Sequence, residues 1–371
     1  MSIAHRLYAT AYERLKLRLF RQSAQEGHER LLTLLARADH HPVAIALAQL
    51  THRSMYAQRP VHVGGVDLPH PLIVAAGMVK GHGFIDEQAA LRAVHAGYNI
   101  IPGWRSLPTL VGPVEFGSFT RYPRLGNAGT VIWRDVDTQS TQNRVGLKNP
   151  GAVAAAEFLL HNRDHLPSCY GINIALSPGI TDPDEEKQHI QESVLAFLQR
   201  GIVPDWFTLN ISCPNTEDDP SGNQTDDKAR RLCQAAQDAT QSQNLKVPLW
   251  VKVGPALADE QYRILLGAFA DLDVCAVVAT NTQADPTPDN ASVLAGVGGG
   301  RLHMTALAAA SVLQSECTRR GYPLDIIGCG GLLDGKSYSR YKGIGIHAMQ
   351  YWSALVYRGP LAAALIMDEA N

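Results

Sequence analysis

From residue 71 onward, the sequence alternates short apolar runs with segments in which apolar residues recur near a 3.6-residue period. The short runs have the length of buried strands, and the periodic segments, such as 185–201 and 304–321, predict helices. Strands that alternate with helices predict a parallel sheet of the α/β class. The apolar runs lie at residues 71–77, 98–104, 170–176, 205–212, 248–254, 274–281, 325–331 and 348–354. Eight parallel strands close into a barrel, so residues 61–371 are predicted to form a (β/α)8 TIM barrel.

Two connections between the predicted strands are long. Residues 105–149 are rich in glycine and proline, and residues 213–228 form a polar segment after the fourth strand. Long connections in a compact domain usually serve as lids or binding loops. In a TIM barrel the active site lies at the carboxyl ends of the strands, so we expect loops at that end to border the ligand.

The first 60 residues have a different pattern, which predicts an N-terminal extension of two or three short amphipathic helices. One face of the first helix carries Tyr8, Tyr12, Leu15 and Leu19. A basic edge is formed by Arg14, Lys16, Arg18 and Arg21. Two interpretations remain open, namely a helical cap that packs on the barrel and a helix pair that rests on an anionic membrane surface.

Composition narrows the class of protein. Of the 371 residues 45% are apolar and 18% are charged, and the net charge of −2 gives no reason to expect a nucleic-acid partner. The six cysteines include no C-x-x-C pair, which argues against a disulfide framework and against a zinc site. No segment approaches the roughly 20 apolar residues of a membrane span, and the N-terminus lacks the pattern of a signal peptide. We therefore expect a cytoplasmic protein without a bound metal.

One literal motif points to another class of enzyme. The phosphate-binding pattern G-x-x-x-x-G-K-S occurs at residues 330–337 as GGLLDGKS, directly after a predicted strand. A nucleotide hydrolase requires a well-formed helix that starts at the lysine of this motif. The residues that follow, SYSRYKGIGI, contain two glycines and have little apolar periodicity. A P-loop nucleotide hydrolase is therefore the more remote interpretation.

The same glycines fit the phosphate site that barrel enzymes often build after strands seven and eight. Gly330 and Gly331 follow predicted strand seven, Trp352 and Ser353 end strand eight, and the glycine-rich loop 296–300 follows strand six. Glycines allow a backbone to come close to phosphate oxygens, although a tight turn would explain any one of them alone.

Polar side chains recur at the ends of the apolar strands, namely Lys80, Asn173, Asn210, Lys252 and Asn281. Buried polar groups must be paired, so this repetition indicates a bound ligand rather than simple packing. Asparagine offers both a carbonyl and an amide group, which suits a cyclic ureide or imide. Lys252 within an apolar strand would be costly unless it faced a developing negative charge, such as that of a reduced flavin.

Short segments in order along the chain resemble the dihydroorotate dehydrogenase family. These segments are AAGMVKG (75–81), QNRVGLKN (142–149), GINI (171–174), NISCPNT (210–216), VKV (251–253), ATNT (279–282), IIGCGG (326–331) and MQYWSA (349–354). The resemblance covers about residues 61–371. It implies a (β/α)8 barrel that uses FMN to oxidise dihydroorotate to orotate in pyrimidine biosynthesis.

Carried over position by position, the resemblance implies roles for individual residues. Cys213 takes the place of the catalytic base, which removes a proton while the neighbouring ring carbon gives a hydride to the flavin. The implied substrate-binding residues are Lys80, Asn143, Asn210, Asn215, Asn281 and Thr282. The implied FMN-binding residues are Ala76, Gly77, Lys80, Asn173, Asn210, Lys252, Thr280, Gly299, Gly330, Gly331, Trp352 and Ser353.

Two features of the sequence belong to different branches of this family. The extended N-terminus looks like the membrane-associated branch that passes electrons to a quinone, whereas a cysteine base is typical of the soluble branches. Residues usual near the flavin and the substrate are replaced by Val79, Trp104, Leu147 and Ala354. We expect a quinone acceptor and peripheral contact of residues 1–60 with the inner face of the cell membrane. A family-like flavin enzyme that acts on another cyclic amide remains the alternative.

Overall fold

The computed structural model describes residues 1–212 and 224–370. Its strands are β1 (Val61–Val63), β2 (Val66–Leu68), β3 (Leu72–Val79), β4 (Val114–Phe119), β5 (Ile132–Asp135), β6 (Ser140–Asn143), β7 (Tyr170–Ala175), β8 (Trp206–Asn210), β9 (Leu249–Val253), β10 (Ala276–Ala279), β11 (Gln283–Pro286), β12 (Leu294–Gly299), β13 (Asp325–Cys329) and β14 (Ala348–Tyr351). Its α-helices are α1 (Ile3–Leu19), α2 (Ala24–Asp39), α3 (Pro42–Met55), α4 (Glu87–His95), α5 (Ser106–Val111), α6 (Ala152–His161), α7 (Pro183–Leu198), α8 (Asp226–Ser242), α9 (Asp259–Asp271), α10 (Gly300–Arg320), α11 (Gly335–Gly343), α12 (Ser353–Arg358) and α13 (Ala362–Glu369).

Eight parallel strands close into a barrel in the order β3, β4, β7, β8, β9, β10, β13 and β14, and β14 pairs back with β3. Helices follow the strands along the chain, as expected of repeated βα units. This arrangement confirms the predicted (β/α)8 TIM barrel with N-terminal helices. Among the described helices, none is both long and apolar enough to cross a membrane.

The predicted second strand is wrong. Residues 98–104 form turns, and the second barrel strand is β4. Ile100, Ile101 and Trp104 are buried, as an apolar run should be, but in a segment that leads into α5. The sequence of β4, VEFGSF, contains Glu115 and two small residues, so this strand has little apolar signal even though it is fully buried.

A buried carboxylate holds this turn segment against the N-terminal helices. Asp39, the last residue of α2, is 1% exposed. It accepts hydrogen bonds from the backbone amides of Gly103 (2.7 Å), Arg105 (3.2 Å) and Ser106 (2.8 Å). The Ser106 hydroxyl (2.7 Å) and the Asn99 side-chain amide (2.8 Å) also donate to it. Because Asp39 satisfies these backbone groups, the segment stays buried without strand pairing.

Helix α1 packs on the last helices of the chain. The Tyr8 and Tyr12 rings stack with their centroids 6.1 Å apart, and their hydroxyls donate to the carbonyls of Arg358 and Val356. The tyrosines leave no room beside Gly359, where an added Cβ would lie 2.3 Å from the Tyr8 hydroxyl. Leu15 and Leu19, expected on the same face, are instead exposed. The tyrosines of this face therefore pack as a helical cap requires, whereas its leucines do not.

A second, antiparallel sheet has the order β11, β12, β6 and β5. Its strands β5 and β6 belong to the long connection 105–149, and β11 and β12 lie between β10 and α10. Residues 296–300, predicted as a loop, form the end of β12 and the first residue of α10. At the amino end of the barrel, the hairpin β1–β2 is held by a hydrogen bond from Trp250 Nε1 to the Gly64 carbonyl, at 2.9 Å. The Trp250 ring stacks on Trp206 at 4.4 Å, so large side chains fill this end of the barrel.

We expect His70 to make the fold less stable in acid. His70 is 1% exposed and its Nε2 bonds the Val111 carbonyl at 3.0 Å. Burial lowers the pKa of His70 from 6.5 to about 4. Between these values the unfolded chain binds a proton that the folded chain does not, so stability falls as the pH drops through this range. We expect His70 to contribute a loss of about 3 kcal/mol in unfolding free energy.

Urea unfolding of the wild type and of His70→Gln, followed from pH 7 to pH 4, measures this loss. The variant should lose less stability than the wild type over that range. The exposed His40→Gln variant is the matched control and should follow the wild type. Parallel stability curves for the wild type and His70→Gln would contradict the assignment.

Candidate active site

A cavity opens at the carboxyl ends of the barrel strands, between the ends of β3, β8, β9, β10, β13 and β14 and the second sheet. The predicted site residues on its wall are Ala76, Gly77, Lys80, Asn143, Asn210, Lys252, Thr280, Asn281, Thr282, Gly299, Gly330, Gly331, Trp352 and Ser353. Cys213 and Asn215 lie outside the described residues. The barrel thus brings residues that are far apart in sequence to one place, because all parallel strands end on the same side.

Of the predicted site residues that the structure describes, only Asn173 does not line the cavity. It is fully buried in β7, and its Nδ2 donates to Glu115 Oε1 at 2.7 Å. Its Oδ1 has no hydrogen-bond partner among the described residues. A buried acceptor of this kind needs an explanation, and an N–H group of a bound ligand would satisfy it.

Amide and hydroxyl groups form a linked cluster on one side of the cavity. Asn281 Nδ2 donates to the Ser212 carbonyl at 2.5 Å and approaches Asn210 Oδ1 at 3.4 Å. Asn210 Nδ2 lies 3.4 Å from the Ser118 hydroxyl, and Asn281 Oδ1 accepts from the backbone amide of Thr282 at 2.8 Å. These contacts fix the directions of both asparagine side chains. The cluster offers donors and acceptors to a ring that has both, such as a cyclic amide.

Glycines and a helix N-terminus form the other side. Helix α10 has Gly299 at its N-cap, with no side-chain cap and no acidic residue in its first turn. A Cβ at Gly298 would occupy cavity space, 3.6 Å from Ser353 Oγ and from Thr282 Cγ2. Ser353 Oγ is held by Thr141 Oγ1 at 2.7 Å. A helix N-terminus beside glycine backbone and a hydroxyl group suits a phosphate.

The P-loop motif does not form such a site. Contrary to expectation, residues 335–343 form the helix α11, but protein carboxylates already bind its first amides. Asp334 accepts from the Ser337 amide at 2.7 Å, and Glu369 accepts from the Gly335 amide at 2.9 Å. Lys336 is exposed. Negative side chains at this helix start disfavour a phosphate there.

The N-terminal helices contribute His28 to the cavity wall, a residue that no sequence pattern indicated. The His28 ring lies 6.4 Å from the Trp352 ring, so α2 meets the end of β14 at this point. Loss of hydration, together with repulsion from Lys80 and Lys148, lowers the pKa of His28 to about 4. His28 is therefore neutral near pH 7. Apolar periodicity alone gave no signal for this residue.

Three further residues were missed, one because the second strand was misassigned and two because they lie within the family-like segments IIGCGG and MQYWSA without an implied role. Ser118, directly after the small residue Gly117 of β4, lies on the wall, as do Gln350 and Cys329. Trp104, which the sequence analysis placed near the flavin, packs against Phe158 with ring centroids 5.8 Å apart and is not on the wall. Ser118 is the strand-two residue that reaches the cavity.

The sequence matches the family model described as dihydroorotate dehydrogenase over residues 60–371. A curated relative from Chromobacterium violaceum, named dihydroorotate dehydrogenase (quinone), is 30% identical over 353 residues, which cover 94% of each chain. A relative of the same name from Synechocystis sp. is 26% identical and covers 97% of this chain and 92% of its own. The fold is similar to that of ligand-free DHODH from Eimeria tenella, with a TM-score of 0.68 and 21% identity over 89% of this chain and 93% of that one.

Proposed function

The chain belongs to the dihydroorotate dehydrogenase family, and from this premise we propose that it oxidises dihydroorotate to orotate in pyrimidine biosynthesis, with FMN as its cofactor and a quinone as electron acceptor. The observation that carries the proposal is the convergence of an amide cluster and a glycine-lined helix start on one cavity. The first suits a cyclic imide, and the second suits the phosphate of a flavin nucleotide.

Two further buried side chains fit FMN, one of them behind the cavity wall and one on it. The buried Asn173 Oδ1 has no partner among the described residues, which leaves an acceptor for an N–H group of the flavin ring. Lys252 is 5% exposed and lies on the wall, where its ammonium group would stabilise the negative charge that a bound flavin acquires on reduction. When bound, FMN supplies the acceptor for the hydride that leaves the substrate.

The residues proposed to hold FMN are Ala76, Gly77, Lys80, Asn173, Asn210, Lys252, Thr280, Gly299, Gly330, Gly331, Trp352 and Ser353. Backbone groups of the glycines and the Ser353 hydroxyl bind the phosphate. The half-buried Lys80, which directly follows β3, would contact both cofactor and substrate.

The residues proposed to hold the substrate are Lys80, Asn143, Asn210, Asn215, Asn281 and Thr282. The asparagines bind the ring amides and the carboxylate, and their mutual hydrogen bonds keep them oriented before the substrate arrives. The Cys213 thiolate removes the ring proton as general base. Cys213 and Asn215 lie outside the described residues, so their roles depend on the resemblance of NISCPNT to the family.

The proposed quinone acceptor requires an approach from the membrane. Helices α2 and α3 expose apolar side chains at helical spacing, with Leu31 and Leu34 on α2 and Val43, Leu47 and Leu50 on α3. Such stripes suit peripheral contact of residues 1–60 with a membrane surface. His28 on α2 reaches the cavity wall, so the same helices would border the path of the acceptor to the flavin.

Anaerobic titration tests the proposed function directly. The purified protein should be yellow with one FMN per chain, and dihydroorotate should bleach it, whereas dihydrouracil, which lacks the carboxylate, should act far more slowly. Lys336→Ala should behave as the wild type, since Lys336 lies at the capped start of α11. Equal bleaching by dihydrouracil would favour the alternative activity on another cyclic amide. A colourless protein that hydrolyses ATP in a manner dependent on Lys336 would overturn the proposal.

A further inference from the structure

A chain of hydrogen bonds inside the barrel links a buried carboxylate to the lysine on the cavity wall. Glu115 in β4 is 0% exposed. Its Oε2 accepts from Gln350 Nε2 at 2.9 Å. Gln350 Oε1 in turn accepts from Lys252 Nζ at 3.0 Å. The three side chains come from β4, β14 and β9, so the barrel assembles the chain and no local sequence pattern does.

Every described contact of the Glu115 carboxylate is with a donor. Besides Gln350, the donors are Asn173 Nδ2 (2.7 Å), Trp206 Nε1 (3.1 Å) and Thr208 Oγ1 (2.6 Å). With these four donors around it, both oxygens of the carboxylate act only as acceptors. The Gln350 amide therefore lies between a buried negative charge and a buried positive one.

The carboxylate decides which way the Gln350 amide points. The two ends of a glutamine amide have nearly the same shape, so shape alone allows either orientation. With the amide reversed, its oxygen would face the oxygen of Glu115, and its NH2 group would face the ammonium of Lys252. Both contacts would be repulsive. Because Glu115 can only accept, the amide must turn its oxygen to Lys252.

We propose that Glu115 is a positioning residue that acts through Gln350 to hold the Lys252 ammonium at the cavity wall. This inference rests on the proposed FMN site, in which Lys252 faces the charge of the reduced flavin. An ammonium group held in advance stabilises that charge without reorganisation. The Glu115–Gln350–Lys252 chain therefore strengthens binding of reduced FMN relative to oxidised FMN.

The reduction potential of the bound flavin in the holoenzyme tests this without measuring turnover. Gln350→Met removes the amide oxygen to which Lys252 donates and should lower the equilibrium constant for two-electron reduction about tenfold, which corresponds to about 30 mV. Glu115→Gln should lower it by a similar factor, because Gln350 is then free to reverse. Since the two residues act in series, the equilibrium constant for flavin reduction in the double variant should be no lower than in either single variant.

The sign of the Glu115→Gln effect separates this proposal from simple electrostatics. If Glu115 acted only as a nearby negative charge, its removal would favour the reduced flavin and the potential would rise. A rise, or an unchanged potential in Gln350→Met, would overturn the proposal. Thr208→Val is the matched control, because it removes a donor to the same carboxylate and leaves the bonds of Gln350 to Glu115 and to Lys252 in place. Its potential should stay close to that of the wild type.

Two further outcomes are decisive. If Glu115→Gln does not fold, Gln350→Met decides alone, since it leaves Glu115 with three of its donors. A wild type that binds FMN, together with potentials that do not respond to these substitutions, overturns this inference and leaves the proposed function in place. A wild type that binds no FMN overturns both.

Discussion

The Cys213→Ala variant is expected to reduce its flavin with dihydroorotate about 100-fold or more slowly than the wild type, the usual scale for loss of a general base. It should still bind FMN and orotate, because Asn143, Asn210 and Asn281 remain on the cavity wall. Anaerobic stopped-flow spectroscopy at the flavin absorbance measures the rate. The step observed is the first half-reaction, so the result does not depend on the identity of the electron acceptor.

The pH dependence of the same rate identifies the base. A free thiol has a pKa of about 8.5, so only a minority is thiolate near neutral pH, and the wild-type rate should rise with pH. Cys213→Ser should keep some activity with its pH dependence moved upward, because a hydroxyl group is a weaker acid than a thiol. Cys275→Ala is the matched control, since Cys275 lies just before β10, at the end of the barrel away from the cavity. Equal rates in the wild type and Cys213→Ala would show that Cys213 is not the base.

Asp39→Ala is expected to lower the free energy of unfolding by at least about 3 kcal/mol. The substitution leaves the buried amides of Gly103 and Ser106 without their acceptor. The Ser106 hydroxyl and the half-buried Asn99 side chain keep only their longer contacts, at 3.5 Å, with the carbonyls of Leu35 and Ala36. Each unsatisfied buried donor costs about 1–3 kcal/mol, with partial relief from water that enters the gap. Urea unfolding followed by tryptophan fluorescence measures the loss, with the exposed Glu29→Ala on the same helix as control.

This prediction also tests how the N-terminal helices relate to the barrel. If residues 1–60 were an independent cap, loss of Asp39 would loosen the helices and leave the main unfolding transition unchanged. Because Asp39 also organises the buried segment that leads to α5 and β4, we expect a single transition at lower urea concentration. Two separate transitions would contradict this view. The division of the chain at residue 60 stays a prediction until this measurement is made.

The barrel itself could be predicted because its strands are buried on both faces and its helices on one. A run such as LIVAAGMV in β3 or LWVKV in β9 has no other simple explanation, and strands that alternate with helices permit few topologies. The same logic failed at residues 98–104. Burial makes a segment apolar whether or not it pairs as a strand, and only the contacts of Asp39 distinguish the two cases.

The motifs likewise predicted the chemical character of the site, but not all of the residues that line or support it. Glycines and asparagines at strand ends were visible in the sequence because each lies at a recurring position after an apolar run. Other residues were not visible in this way. Glu115 lies in the misassigned strand β4, Gln350 lies in the interior of β14, and His28 lies in the N-terminal helix α2. Nothing in the local sequence of Glu115 or His28 distinguishes them from packing or surface residues, and Gln350 lies within the family-like segment MQYWSA without an implied role.

By itself, the sequence determined the barrel, the end at which its ligands bind and the polar groups offered there, because these depend on local burial and on residue type. Only the tertiary structure decided which buried polar groups meet. The links from Glu115 through Gln350 to Lys252, and from Asp39 to Ser106, join residues that are 235, 98 and 67 positions apart. A hydrogen bond requires its two atoms to approach within about 3 Å, and a closed barrel can impose that condition on residues that no sequence period relates.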